Sequence, residues 1–529
     1  MERSIVDFIQ THVTEATPVQ RDYALALWEW RGNGTLGAEK DFSAARDALH
    51  AIYARRDAYA RVRSYDHEEI SARATTRRQI RILRLRFANN QVAAATIERT
   101  QELEERILRR LATWRARVRG APTPRSEARA LLSSHSRDAA AREEAWRSLR
   151  EAGTESSADL LRLVGIRNRA ARDLEYSSWF SLTLDRLEIV EADLLRLVGG
   201  VLQSTEVAFK EIRDRLDDEA RSRGLDAGRP WNYPEPFFAS IPLERDADFD
   251  RYYERQDPLV LAQVLLGGMG LDVSDLLSRG TFKRGSQADG PSLIVDIDRC
   301  GDDVRVATHC ERDENSMTKV IRALARGLYH RHIDPDLPWL LREPTNGIFM
   351  EAVASLLAGI LRSPEFLTEI LGANKSAVTR VLKRLREAHR RDTVVRMRFA
   401  AMMILFEREL YRDPGADVDR IWCELTARFQ GADAQEQRHP AQAWASLPEL
   451  TREPGIWARR LLGELASAQL ATAIREKTGQ DIAPGAKDAG QFLIKEIFRS
   501  GARHHWNDLL QRATGSRLDP SRVLSGLIN

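Results

Sequence analysis

The chain has 529 residues, 43% of them hydrophobic and 30% charged, so it can bury a sizeable core and is not a candidate for wholesale disorder. The formal net charge is only +3, which gives no global electrostatic case for nucleic acid. No stretch approaches the apolar length of a membrane span. The three cysteines, Cys300, Cys310 and Cys423, form no ligand-spaced cluster and fit a reducing compartment. The first residues, MERSIVDFIQTHVTEATPVQ, carry acids and no long apolar run, so they do not read as a signal peptide. A cytoplasmic protein is expected.

The pattern along the chain is helical. Residues 19–30 place apolar side chains at helical spacing. Residues 68–119 read as two long helices broken near Asn89 and Asn90, and 120–123, with Pro122, as a break. The first of these helices is basic, with Arg77, Arg78, Arg81, Arg84 and Arg86. It is the one candidate for a polyanion surface, although Ile80, Leu83 and Phe87 mark an ordinary buried stripe and favour a solvated helix face. Further helices are expected over 159–172, 191–223, 258–266, 316–330, 350–361 and 393–410. Residues 229–242, rich in proline and aromatic side chains, read as an ordered loop. Residues 292–297 and 304–308 alternate around Cys300, Gly301 and Asp302 as a β-hairpin. Cys300 and Cys310 flank it, and two unbridged thiols are expected. Asp296 and Asp298 share one strand face and are read as caps of the turn at Gly301.

One segment carries the chemistry. Residues 320–351 read VIRALARGLYHRHIDPDLPWLLREPTNGIFME. This resembles the catalytic segment of the helical zinc peptidases related to angiotensin-converting enzyme and the thimet-type oligopeptidases (gluzincins). Those enzymes carry His-Glu-x-x-His on one helix and a Glu ligand on a later one. Here Arg322 and Arg326 stand at the two His positions and Ala323 at that of the catalytic Glu; Glu351 stands at the third ligand. Other segments follow the family in the same order. They are RNRAARDLEYSSWFSLTLDRL from Arg167, PSLIVDIDRCGDDVRVATHC before the zinc helix, the connector HIDPDLPWLLREP, and three C-terminal stretches, FERELYRDP, AWASLPELTREPGIWARRLLGELASAQLATAI and SGARHHWNDLLQRATG. The resemblance covers most of the chain from about residue 160 onward. It implies a mostly α, elongated two-lobed body with a deep central cleft and a small β element. The expected division is a lid-like N-terminal helical lobe over 1–155 and a peptidase-like body over 156–529.

The departures define what is lost. Zinc is held by neutral imidazole nitrogens and carboxylate oxygens, and the Glu beside the first His activates the bound water. A guanidinium stays protonated and presents no lone pair, and Ala323 cannot accept a proton. Where the angiotensin-converting-enzyme-like members have an Asp that orients a ligand His, this chain has Ser355. The C-terminal stretch that supplies oxyanion-binding Tyr residues contains none, and Arg460 falls near that role. No relocated metal site is expected at His309, Cys310, Glu311 and Asp313, at His330 and His332, or at His504 and His505; metal and cofactor are expected to be absent.

Arg322 and Arg326, four apart on one helix, put two positive charges where the ion would sit. An ion-pair network with Glu351 is expected; the alternative is that both arginines turn to solvent. The candidate ligand-binding residues are Arg322, Arg326, Glu351 and Arg460. Glu351 is also the one candidate for catalysis. Three readings of function follow: an inactive peptidase homologue binding a peptide or small anionic ligand, a metal-independent enzyme using Glu351 and the arginine pair, or a structural protein with a collapsed cleft. In related peptidases an edge strand beside the zinc helix docks the substrate backbone, and residues 292–297 or 304–308 are candidates for that role. The oligomeric state is left open.

Overall fold

The structure, a computed structural model, describes residues 2–67, 73–241, 249–285, 292–437, 441–521 and 524. It is mostly helical, with two small sheets. Helix α1 (Glu2–Asn33) contains the expected 19–30 stretch and runs through Pro18. Helices α2 (Ala74–Asn89) and α3 (Ala94–Thr113) break at Asn90, as the sequence implies; the expected start at Glu68 lies outside the described residues. Helix α3 stops short of Arg119 because β1 (Ala116–Val118) folds back on β2 (Ala121–Thr123). The turn between them has positive φ at both Arg119 and Gly120 (54° and 74°), the backbone that lets two antiparallel strands meet across two residues. The expected break over 120–123 is therefore half of a hairpin.

Helix α4 (Ala139–Asp173) begins on Asp138, whose side chain accepts from the Ala141 N–H. It is far longer than the expected 159–172, and the boundary expected at 155/156 falls inside it. The expected helix over 191–223 is two, Glu191–Ser204 and Glu206–Ser222, meeting at Thr205. The loop from Arg229 onward is ordered, with Tyr233, Phe237 and Phe238 buried; Pro242 lies outside the described residues.

Strands β3 (Thr281–Lys283), β4 (Leu293–Asp296) and β5 (Val304–His309) form one sheet in the order β3–β5–β4. β4 and β5 are the expected hairpin, with Leu293 opposite Ala307 and Asp296 opposite Val304. β3 pairs in parallel with β5. Asp296 Oδ2 accepts from the Gly301 N–H at 3.3 Å, so it caps the turn as expected, while Asp298 pairs with Arg21 at 2.7 Å. Helix α5 (Glu314–Arg331) follows directly and packs on β5. Helices α6 (Gly347–Gly359), α7 (Lys375–Arg412) and α8 (Ile456–Thr478) complete the frame used below. No described helix is long and apolar enough to cross a membrane.

The chain divides into two compact units. The first comprises Met1–Gln91, Asp248–Leu382 and Leu462–Asp519; the second comprises Val92–Ala247, Lys383–Leu461 and Pro520–Asn529. In the first, Ile5, Ile9, Val62, Ile80, Leu83, Phe87 and Leu340 share one core cluster, and Ala24 and Trp28 of α1 pack on Val295 and Ile297. Each such fully buried aliphatic or aromatic side chain contributes roughly 1.5–3 kcal/mol. The second unit is built around Phe209, Ile212, Val394 and Val395 and around Trp146 and Leu149.

The basic helix α2 is neither a solvated face nor a polyanion surface. Arg78 donates to the Ala502 carbonyl at 2.8 Å, Arg84 and Arg81 pair with Asp66 at 2.7 and 3.3 Å, and Arg86 pairs with Glu343 at 2.6 Å. Of the five arginines only Arg77 is classed as exposed.

Candidate functional site

The site is built by two helices of the first unit. Helix α5 starts on Asp313, whose carboxylate accepts from the Ser316 N–H at 2.7 Å. Its apolar residues Val320, Ile321, Ala323, Leu324, Ala325 and Leu328 are all buried. Helical periodicity then leaves Arg322 and Arg326 one above the other on a less buried face. Helix α6 starts on Asn346, whose side chain accepts from the Ile348 and Phe349 N–H groups at 3.0 and 3.2 Å. It carries Glu351 and Ser355 one turn apart toward α5.

The four side chains converge. Arg322 Nη2 donates to Glu351 Oε1, and Arg326 Nη2 donates to Glu351 Oε2 at 2.9 Å. Arg322 Nη1 also donates to Ser355 Oγ at 3.1 Å. One carboxylate thus takes a guanidinium on each oxygen, a charge-assisted arrangement. The arginines do not turn away to solvent. Arg322 and Arg326 nevertheless keep 25% and 23% of their side-chain surface exposed, and Glu351 13%. Ala323 is fully buried in the core.

A residue not singled out from the sequence holds Glu351 from behind. Gly463 on α8 comes so close that a β-carbon there would lie 2.7 Å from both Cβ and Cγ of Glu351 and 3.2 Å from the Ile348 carbonyl oxygen. A glycine inside a helix ordinarily costs stability, and that cost is the one sequence signal that marks it. Arg460, one helical turn earlier, belongs to the second unit. There it pairs with Glu449 at 3.6 Å and lies over the Trp457 ring at 5.0 Å.

A second polar cluster occurs near the end of α5. Arg86 and Arg299 both face Glu343, at 2.6 and 3.8 Å, and the Arg299 guanidinium lies 4.4 Å from the Trp339 ring centroid. Burial opposes ionisation of Glu343, but the two arginines outweigh it and hold its carboxyl below the usual range. His330, one turn past Arg326, has Nδ1 4.0 Å from Asp296 Oδ2. Burial pushes His330 down to about 4 and Asp296 up to about 6. These residues come from four separate stretches of chain, so no local spacing announces them.

Among the described residues, no group of three or more His, Cys, Asp or Glu side chains is placed to hold a metal ion. Asp313 is spent on its helix cap, and His332 stacks on Phe498. His505 Nδ1 accepts from the Asn507 N–H at the start of the helix Trp506–Thr514. Cys300, Cys310 and Cys423 are free thiols, and burial pushes that of Cys310 up to about 11. Strand β5 is central, with β4 paired to residues 304–307 on one side and β3 to residues 307–309 on the other. Among the described residues β4 is an edge strand, and β5 lacks a strand partner only over residues 304–306 on its β3 side.

The chain matches no model of a known protein family and no curated protein.

Proposed function

We propose that this chain is a catalytically inactive peptidase homologue that binds a peptide or small anionic ligand at Arg322, Arg326 and Glu351. The proposal includes a gluzincin-type ancestry and the ligand cleft that such a fold implies. The observation that carries it is the junction of α5 and α6, where two guanidiniums at His-x-x-x-His spacing share the carboxylate at the third-ligand position. A spacing suited to gripping an ion serves equally to aim two arginines at one point. The groups there offer a metal one carboxylate and no imidazole, and Ala323 offers no base. What they do offer is N–H donors on side chains about a quarter exposed, which suits an anionic oxygen.

Binding is favoured over catalysis by the state of Glu351. Both of its oxygens already accept from arginine, so it is engaged as an ion-pair partner and poorly placed to take a substrate proton. A structural protein with a collapsed cleft would leave these arginines sealed from solvent, and they are not. Native mass spectrometry of the protein taken from its own cells tests the reading. A retained peptide or small acid that disappears in an Arg322→Ala, Arg326→Ala double variant is the expected result. Turnover that is lost in Glu351→Gln while binding persists would move the reading to a metal-independent enzyme.

A further inference from the structure

Glu351 is seated as well as paired. Its β- and γ-carbons lie against the backbone of α8 at Gly463, and its oxygens face Arg322 and Arg326. A ligand reaching these guanidiniums meets a carboxylate already between them and binds beside it. The triad by itself carries one net positive charge. Attraction of an anion to that charge grows in proportion to the anion's own charge. The cost of stripping water from the anion grows with the square of its charge. Arg322 also divides donors between Glu351 and Ser355, so part of its guanidinium is engaged before a ligand arrives.

We propose, building on the function inferred above, that Glu351 is a built-in charge filter. The site accepts a ligand through a singly charged carboxylate and rejects a doubly charged phosphate. Gly463 acts as a positioning residue that keeps the filter in place.

Titration calorimetry of the full chain with N-acetylglycine and with inorganic phosphate, near pH 8 and at matched ionic strength, tests this. Wild type is expected to bind N-acetylglycine at least about tenfold more tightly than phosphate, and Glu351→Gln to shift that ratio toward phosphate by about tenfold or more. Equal or tighter binding of phosphate to wild type, no binding of either probe, or an unchanged ratio in Glu351→Gln each overturns the filter. Should Glu351→Gln fail to fold, wild type decides alone. Its affinity for phosphate is expected to fall as pH rises from about 6 to about 8 and phosphate loses its second proton; affinity that rises over this range overturns the proposal. The Arg322→Ala, Arg326→Ala double variant separates the two levels. Undiminished N-acetylglycine binding there removes the functional reading itself, whereas lost binding with unaltered Glu351→Gln selectivity removes only the filter.

Discussion

Arg167 in the second unit and Arg322 in the first each pair with a glutamate on another helix, and there the likeness ends. Arg167 is 4% exposed. Its terminal nitrogens donate to the Tyr411 hydroxyl at 3.0 Å, the Leu450 and Thr451 carbonyls at 3.4 and 2.6 Å, and Glu104 at 2.8 Å. Burial works against its charge, and Tyr411 and Glu104 more than compensate. Arg322 donates to one carboxylate and one hydroxyl and keeps 25% of its side chain in solvent. The first arrangement ties chain segments together, because the Tyr411 hydroxyl and the Leu450 and Thr451 carbonyls would lose a buried donor if the arginine went. The second loses little by exchange with water, and so its guanidinium can serve a ligand.

The sharpest way to break this comparison is to remove each arginine in turn. Arg167→Ala leaves Glu104 and two carbonyls without their donor and is expected to cost roughly 3–5 kcal/mol in chemical denaturation, the usual scale for an orphaned buried ion pair. A loss below that of Arg322→Ala would reverse the assignment of roles.

The next largest effect concerns Glu407, which lies beside the Arg167 network. It is 1% exposed and accepts from the Gly455 N–H at 2.8 Å. Burial pushes its carboxyl up to about 7, against the smaller opposing effects of Gly455 and Arg167. The folded state therefore holds a proton that the unfolded state releases near its ordinary value of 4.5. Stability from this group is full below that value, declines as pH rises toward about 7 and is level above it. The total is about 3 kcal/mol. Melting temperatures of wild type and Glu407→Gln between about pH 4 and pH 8 should converge at the acid end and favour the variant at the alkaline end. Parallel curves would show that Glu407 ionises normally in the fold.

Gly463→Ala is expected to destabilise by about 1–3 kcal/mol, the range for forcing a methyl group into a packed site. By displacing Glu351 it should also shift the ratio of N-acetylglycine to phosphate affinity toward phosphate, as Glu351→Gln does. An unchanged ratio would mean that the seat is not needed. Arg322→Ala and Arg326→Ala should each cost at most about 1 kcal/mol, as partly exposed ion pairs do, while lowering ligand affinity. A stability loss equal to that of Arg167→Ala would turn the triad into a second structural clamp.

The local features of the site were legible in the residue order. The apolar stripe over 316–330 marks α5 and leaves 322 and 326 on one face, while the start on Asp313 came only with the fold. The β4–β5 hairpin follows from alternation around Gly301. What stayed hidden came from distant partners. Strand β3 is three residues long and pairs in parallel with β5, a pairing without a local turn to signal it. Gly463 reads as an ordinary helical glycine until Glu351 is placed against it. The arginines of α2 looked solvated because their partners lie outside the helix, Asp66 ahead of it and Glu343 and the Ala502 carbonyl much further along the chain.

From the residue order alone it is determined that positions 322, 323 and 326 offer neither a metal donor nor a base. A guanidinium without a lone pair and a methyl side chain without a base are properties of atoms, and they hold in any fold. Only the tertiary structure decided where the arginine charge goes. Ion pairing depends on separation in space and on how much water lies between the groups. Those two quantities set Arg322 and Arg326 on a shared, partly exposed Glu351 and bury Arg167 among four acceptors.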